Sequence, residues 1–439
     1  MLFPVSSCRL AHTVKVFGMP RQAVSLRPIQ NTAIGGCTQW HRRRHCNGGH
    51  RVDIALTEEQ QAIADTVAKV CSEFDDDYWS GCDAEARFPQ EFVSAMVAGD
   101  WLGITMPEAY GGAGLGVTEA AVMMHTVARS GGGQAAASSI HINLFGPHPI
   151  VVMGTDEQKQ RMLPPVIRGE HKVAFGVTEP NAGSDTTSIE TFAEKVDGGY
   201  RVNGHKIWTS TAQEAEKIML LARTQRKDEV GKRTEGMTLF FTDLDRDHIE
   251  VQRIPKMGRA AVDSNTTFID DLFVPEEDRI GDEGRGFYYL LHSLNPERIL
   301  VAVEAIGLGQ DAISRASRYA RERVVFGRPI GQNQAIQHPL AECWAHLEAA
   351  YWLAMRAASL YDRGEPCGAE SNAAKLLGGQ AGFNACTQAV LTHGGMGYAK
   401  EYQVERLLRE SLISRIGPVS EQMVLCFLGE KVLDLPKSY

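Results

Sequence analysis

The chain has 439 residues, 43% hydrophobic and 23% charged, a globular composition too long for one ordinary core, so two or three domains are expected. Its formal net charge of −9 excludes the basic face that wholesale nucleic-acid binding requires. No run of about 18 apolar residues marks a membrane span, and the nine cysteines, scattered without a C-x-x-C pair, read as reduced core thiols.

Residues 1–52 contain no Asp or Glu but carry Arg9, Arg21, Arg27, the run Arg42-Arg43-Arg44 and Arg51. This arginine-rich, acid-free segment suits a mitochondrial presequence and a matrix location, although Pro4, Pro20 and Pro28 interrupt its helical periodicity. His41, His45, Cys46 and His50 fit no zinc spacing, so no metal site is expected. Structure begins near Leu56, where Thr57-Glu-Glu-Gln60 has the form of a capping box before an amphipathic stretch. Helical patterns follow at about 89–98, 117–129 and 156–167, giving a helical domain over 53–171. The loop Gly111-Gly-Ala-Gly-Leu-Gly116 lacks a preceding strand and reads as tight turns rather than a phosphate cradle. From Lys172 the pattern changes to strands at 173–177, 200–208, 218–222, 237–244 and 266–274, with an Asn203-Gly204 turn. Residues 172–280 therefore form a β domain, expected to be a small barrel. Residues 281–439 return to helical patterns rich in Ala, Leu, Glu and Arg, with Glu297 opening a long helix that runs to Arg323.

Five ordered motifs carry more information than any one of them: Val177-Thr-Glu-Pro-Asn-Ala-Gly-Ser-Asp185, Lys206-Ile-Trp-Thr-Ser210, Arg321-Glu-Arg-Val-Val-Phe-Gly327, Gln334-Ala-Ile-Gln337 and His393-Gly-Gly-Met-Gly397. Together, from about Leu56 to Leu433, they resemble the acyl-CoA dehydrogenase family of flavoproteins. The resemblance implies an α+β multidomain fold with an N-terminal all-α domain, a central β-barrel and a C-terminal four-helix bundle. It also implies FAD as cofactor, an acyl-CoA substrate, a homotetramer, and electron transfer flavoprotein as acceptor. Carried over by motif, Val177, Thr178, Gly183, Ser184, Trp208, Thr209 and Ser210 would hold the flavin and its ribityl chain, with Ser210 at flavin N5. Arg323 would meet the FAD pyrophosphate across a subunit boundary, a task suited to a forked guanidinium. Phe326, Gln334, His393, Gly394 and Gly395 would line the adenosine side, and Ser420 and Gln422 the last flavin segment. Ser184, Asn295 and Arg298 would touch the CoA substrate.

The family's reaction removes an α-proton with a carboxylate while the β-hydrogen leaves as hydride to flavin N5, giving a trans-2-enoyl-CoA. In most members the base is a Glu in a Tyr-Glu-Gly-Thr-like string; here, aligned between Glu410 and Ser420, that position is Pro418. Isovaleryl- and long-chain-type members keep it instead directly before an arginine in a C-domain helix, which here is Glu297 before Arg298. The paired change makes Glu297 the expected base. Glu304 lies about 10 Å further along the helix, and Glu421 falls in a segment the family gives to FAD. The same motifs leave open an oxygen-using acyl-CoA oxidase and a mitochondrial assembly partner with vestigial activity.

Overall fold

Thr57 sets the entry to the fold: its hydroxyl accepts from Gln60 N while the Gln60 side chain accepts from Thr57 N, both at 3.1 Å, so two otherwise orphaned donors are satisfied at once. In the computed structural model, residues 55–438 are described; the presequence-like segment 1–52 and its histidines lie outside them. The first region holds α1 (Glu58–Cys71), α2 (Asp76–Glu85), α3 (Gln90–Ala98), α4 (Val117–Arg129), α5 (Gly133–Phe145), α6 (His148–Met153) and α7 (Asp156–Ile167). The glycine loop before α4 begins with a tight turn, Gly111 N bonded to Glu108 O at 3.0 Å, and then folds back on the preceding segment, with Gly114 N bonded to Met106 O and Leu115 N to Ile104 O. Its last residue, Gly116, lies so close to Asp362 that a Cβ would meet the carboxylate at 2.6 Å. Asp362 in turn accepts from Val117 N at 2.7 Å and Thr118 N at 2.9 Å, capping α4 from a distant helix.

The middle region holds β1 (Val173–Gly176), β2 (Phe192–Val196), β3 (Gly199–Ser210), β4 (Lys217–Arg223), β5 (Met237–Asp243), β6 (Ile249–Arg253), β7 (Ser264–Pro275) and β8 (Arg279–Ile280). They form one eight-stranded sheet in the order β6-β7-β3-β2-β4-β5-β8, with β1 parallel to β4. The sheet folds over its own core of Tyr200, Val202, Ile218, Leu220, Phe240 and Ile269. The opposite face of β4 and β5, carrying Met219, Leu221, Leu239 and Phe241, packs with Met162 and Val166 of α7. These two strands are buried on both sides, which is why they read as unbroken apolar runs. Asn203-Gly204 is not the expected turn. It lies inside β3 at a register shift against β7, with Asn203 Oδ1 accepting from Asp271 N at 2.9 Å; the hairpin turn is Asp197-Gly198, between paired Val196 and Gly199.

The last region is built on three long helices, α8 (Gly286–Glu322), α9 (Gln334–Asp362) and α10 (Gly368–His393), followed by α11 (Val404–Ser411), α12 (Ile413–Ile416) and α13 (Glu421–Lys431). One expectation is corrected here. Glu297 does not open α8, because the helix starts at Gly286 and carries Pro296 within it. A proline lacks an N–H and usually stands in the first turn of a helix, which made the sequence look like a helix start. Packing on both sides of Pro296 keeps the helix continuous, as Leu290, Ser293, Pro296 and Glu297 are all buried.

A buried cation joins α11 to the start of α5. Arg406, 2% exposed, pairs with Glu410 at 3.0 Å and donates to the carbonyls of Gly131 at 2.6 Å and Gly132 at 3.4 Å. Glu410 Oε2 also accepts from the amides of Gln134 and Ala135. Arg406→Met leaves that carboxylate buried without its cation and is expected to cost about 3–5 kcal/mol, read as a lowered urea midpoint; an unchanged midpoint would show that the pair is not structural.

Candidate active site

Glu297 is 3% exposed on α8, and its Oε2 has no hydrogen-bond partner. Burial pushes its carboxyl up to about 7, against the opposing pull of His141, Arg298 and Lys375. Two turns further on, Glu304 shares the same helix face. His141 of α5 stands between the two: its Nδ1 is 2.6 Å from Glu304 Oε1, and its Nε2 is 4.0 Å from Glu297 Oε1. The second Glu304 oxygen accepts from Gln134 Nε2 at 2.6 Å. From α10, Lys375 donates to Val419 O at 2.5 Å; burial pulls its ammonium down to about 8, with Glu297 and Glu421 opposing. Glu421 is committed to Arg415 at 2.6 Å. Neither of the competing carboxylates is therefore free to act as a base, but Glu304 has a role that was not expected: it holds the histidine that faces Glu297.

Beside this group lies the segment that the motifs lead one to expect at the flavin. Ile207 N donates to Thr178 O at 2.9 Å and Lys206 Nζ to Val177 O at 3.1 Å, so the Val177–Ser184 turn is bound edge-on to the strand carrying Trp208, Thr209 and Ser210. Lys206 is fully buried and paired with Glu179 at 2.8 Å. Arg259 reaches from the loop before β7 to Ser210 Oγ at 3.3 Å, Ser264 Oγ at 3.3 Å and, on α5, Ser138 Oγ at 3.0 Å. Ser138 is one turn from His141, so Arg259 joins the flavin strand to the α5 side of Glu297. Lys375 makes the matching link to the loop that enters α13, whose N-cap is Ser420.

The chain is strained here. Trp208, Thr211 and Arg259 have φ of 61°, 63° and 57°, values rarely adopted by bulky or β-branched residues. Such outliers persist only where the surroundings fix them, and they gather at ligand sites. Trp208 is also 54% exposed, a large aromatic face presented outward. Ser210, accepting from Arg259, keeps its O–H to donate to a ring nitrogen. Gly183 and Ser184 are exposed on the turn, and Asn295 Oδ1 accepts from Arg298 Nη1 at 3.2 Å and Ser371 Oγ at 3.1 Å, leaving Arg298 Nε unpartnered. These donor groups fit a flavin and a thioester ligand.

Thr209 and His393 are placed differently from the other expected ligands. The Thr209 side chain is buried, 3.5 Å from Thr267 Oγ1. The His393 ring is stacked on Tyr319 at 4.3 Å, with Nδ1 at 2.8 Å from Ala389 O, and the Thr209 carbonyl accepts from Asn265 Nδ2 at 2.9 Å. Gly394, at φ 61°, and Gly395 have open space where a Cβ would be. Arg323, the residue ending α8, makes no ion pair among the described residues, and Phe326, at φ 52°, is fully exposed; Gln334 and Gln422 are exposed as well. Twenty-six residues of helix separate Glu297 from Arg323, about 39 Å at 1.5 Å per residue. The expected cofactor residues thus fall into two groups, one around Ser210 and Glu297 and one at the far end of α8. Among the described residues no group of three or more His, Cys, Asp or Glu could hold a metal ion, and no helix is long and apolar enough to cross a membrane.

Comparison with known proteins agrees with this arrangement. Family models for the acyl-CoA dehydrogenase N-terminal, middle and C-terminal domains match residues 57–170, 174–272 and 284–431. Acyl-CoA dehydrogenase fadE12 of Mycobacterium bovis is 32% identical over 392 residues, covering 87% of this chain and 98% of that protein. The mitochondrial isovaleryl-CoA dehydrogenase of Oryza sativa is 31% identical over 382 residues, covering 86% of this chain and 92% of its own. The structure of butyryl-CoA dehydrogenase from Megasphaera elsdenii superposes with a TM-score of 0.83 at 28% identity, covering 87% of this chain and all of that one. The chain belongs to the acyl-CoA dehydrogenase family, FAD-dependent oxidoreductases acting on the CH–CH bond of acyl-CoA thioesters.

Proposed function

We propose that Glu297 is the base that removes the α-proton of a short acyl-CoA, yielding the trans-2-enoyl-CoA. The observation that carries this reading is a buried carboxyl, pushed up to about 7, with one oxygen unpartnered, where the family's alternative loop position holds Pro418. A general base works best with a pKa near the operating pH, and burial supplies that here. When bound, the flavin supplies the acceptor for the β-hydride. Ser210 and the Val177–Ser184 turn hold it beside Glu297, and Asn295, Arg298 and Ser184 meet the CoA part of the substrate.

A short acyl group is supported by two of the relatives, which are named for butyryl and isovaleryl groups. The separation of Arg323 from Glu297 along α8 supports a homo-oligomer in which each FAD is completed by Arg323 and Phe326 from a second copy; a tetramer is the form the resemblance implies. We further infer electron transfer flavoprotein as acceptor, and import into the mitochondrial matrix directed by the arginine-rich, acid-free residues 1–52.

In anaerobic mixing, butyryl- or isovaleryl-CoA is expected to bleach the flavin at least about tenfold more efficiently than palmitoyl-CoA; a preference for the long chain would overturn the short-chain reading. Glu297→Gln should retain FAD and slow bleaching by about 10²–10⁴-fold, whereas full activity would remove Glu297 from the reaction. The same substitution has a stability consequence. In the folded protein the carboxyl is pushed up to about 7 from its ordinary value of 4.5, so folding favours the neutral carboxyl. Its contribution is fully present below 4.5 and is lost as pH rises through 7. Glu297→Gln should therefore raise the melting temperature relative to the parent at about pH 9, by the equivalent of about 3 kcal/mol, and much less at about pH 5; an equal effect at both would contradict the shift.

A further inference from the structure

α5 and α8 each present two polar residues seven apart on one face: Gln134 and His141 on the first, Glu297 and Glu304 on the second. All four are buried. Glu304 receives a donor on each oxygen, from Gln134 Nε2 and His141 Nδ1, both at 2.6 Å. With both oxygens engaged, Glu304 is an anchor, and the hydrogen bond at Nδ1 fixes the ring so that its other nitrogen points away from Glu304. That nitrogen, His141 Nε2, is buried without a partner, and so is Glu297 Oε2. The two side chains face one another, with Nε2 4.0 Å from Glu297 Oε1. Orphaned polar atoms in a protein interior are costly, and one on each of two facing side chains, one of them the candidate base, is a functional arrangement rather than a packing accident.

We propose that His141 is a positioning residue for Glu297: anchored by Glu304 and Gln134, it presents Nε2–H to the Glu297 carboxylate, aims it, and keeps it able to accept a proton inside the apolar seam between α5 and α8. The inference rests on the reading of Glu297 as the base. The surrounding charges agree with it. Burial alone would lower the imidazole's proton affinity, but the charge and hydrogen bond of Glu304, with Glu297 behind, raise it above the ordinary value, and Arg259 opposes them from the loop side. Glu297 is faced by His141 from α5, by Arg298 and Glu304 on its own helix, and by Lys375 from α10. Of these, the charge of His141 does most to favour the ionised carboxylate. Without it, Glu297 loses the cation facing it from α5 while Glu304 on its own helix still opposes its charge, and it holds its proton to higher pH. Phe145, tilted against His141 at 5.3 Å between ring centres, closes the other side of the ring and keeps water from replacing it.

The test is a pH profile of kcat/KM with a saturable short acyl-CoA, on the FAD-loaded protein, for the parent, His141→Gln and Glu304→Gln. In His141→Gln the acidic limb should move to higher pH by roughly one unit or more, with most of the rate recovered on the alkaline side, since the base remains present and only its ionisation is displaced; in Glu304→Gln the lost anion, which itself raises Glu297, offsets part of that move, so a smaller shift in the same direction is expected. A uniform loss at all pH with an unmoved limb would overturn the proposal and leave His141 a packing residue. A second readout needs no turnover: the infrared band of the protonated Glu297 carboxyl, assigned by subtraction of Glu297→Gln, should persist to higher pH in the variants than in the parent. If one variant does not fold, the other tests the same link from the opposite end. If the parent bleaches with no acyl-CoA, the reading of Glu297 as base fails. In that case the infrared titration still decides whether His141 governs its protonation, an unmoved band being the contrary result.

Discussion

Everything at the centre of this protein depends on holding a carboxyl group out of water and still letting it ionise. A carboxylate in an apolar seam costs several kcal/mol unless charge and hydrogen bonds compensate it. Glu297 sits in such a seam, between α5 and α8, and the compensation comes from residues on three elements: His141 of α5, Arg298 of α8 itself and Lys375 of α10. The first of these is fixed by Glu304, two turns along. The result is a carboxyl whose proton affinity lies near neutrality, as the proposed base requires, set by balance between burial, which raises it, and a cationic surround, which lowers it. A surface glutamate would be ionised but too weak a base; a buried one with no cation would stay protonated.

The β domain meets this seam through shared side chains rather than through contact alone. Arg259 bonds Ser210 on the flavin strand and Ser138 on α5, so the strand that faces the cofactor and the helix that carries His141 are fixed relative to one another. Lys206, buried beneath the strand, ties in the turn at Val177 and Glu179. The positive φ values of Trp208, Thr211 and Arg259 are concentrated at this junction, where backbone strain is held by buried hydrogen bonds on either side. On the far side, Lys375 joins α10 to the loop before Ser420.

Much of this was legible in the sequence. The order helical, β, helical follows from the change of hydrophobic period at Lys172 and again near Phe287, and α4 and α7 begin and end where their periodicity does. Glu297 was found by comparing it with Pro418, a substitution that empties the usual position. What was not legible was α5. Its run Gly133-Gln-Ala-Ala-Ala-Ser-Ser is small and polar, and every residue of the helix except Ile142 is buried, so no polar stripe exists to give a helical period. With α5 went His141 and Gln134, and with them the role of Glu304, which by spacing alone was only a carboxylate too far from the reaction. Lys375, a lysine on the buried face of a helix of small residues, was equally silent. Pro296 misled in the opposite direction, placing a helix start where tertiary packing carries the helix through. Sequence period reports which residues face water; it is blind where a helix has no water-facing side.

The most direct measurement of the central claim separates proton removal from hydride transfer. An acyl-CoA with α-hydrogens but none at the β-carbon, such as 3,3-dimethylbutyryl-CoA, can lose its α-proton yet cannot be oxidised. Incubated with the FAD-loaded protein in D₂O and followed by proton NMR, it should exchange its α-hydrogens for deuterium, with Glu297→Gln abolishing the exchange and leaving binding of the thioester intact. Exchange at the parent rate in Glu297→Gln would contradict the account, since another group would then be removing the proton.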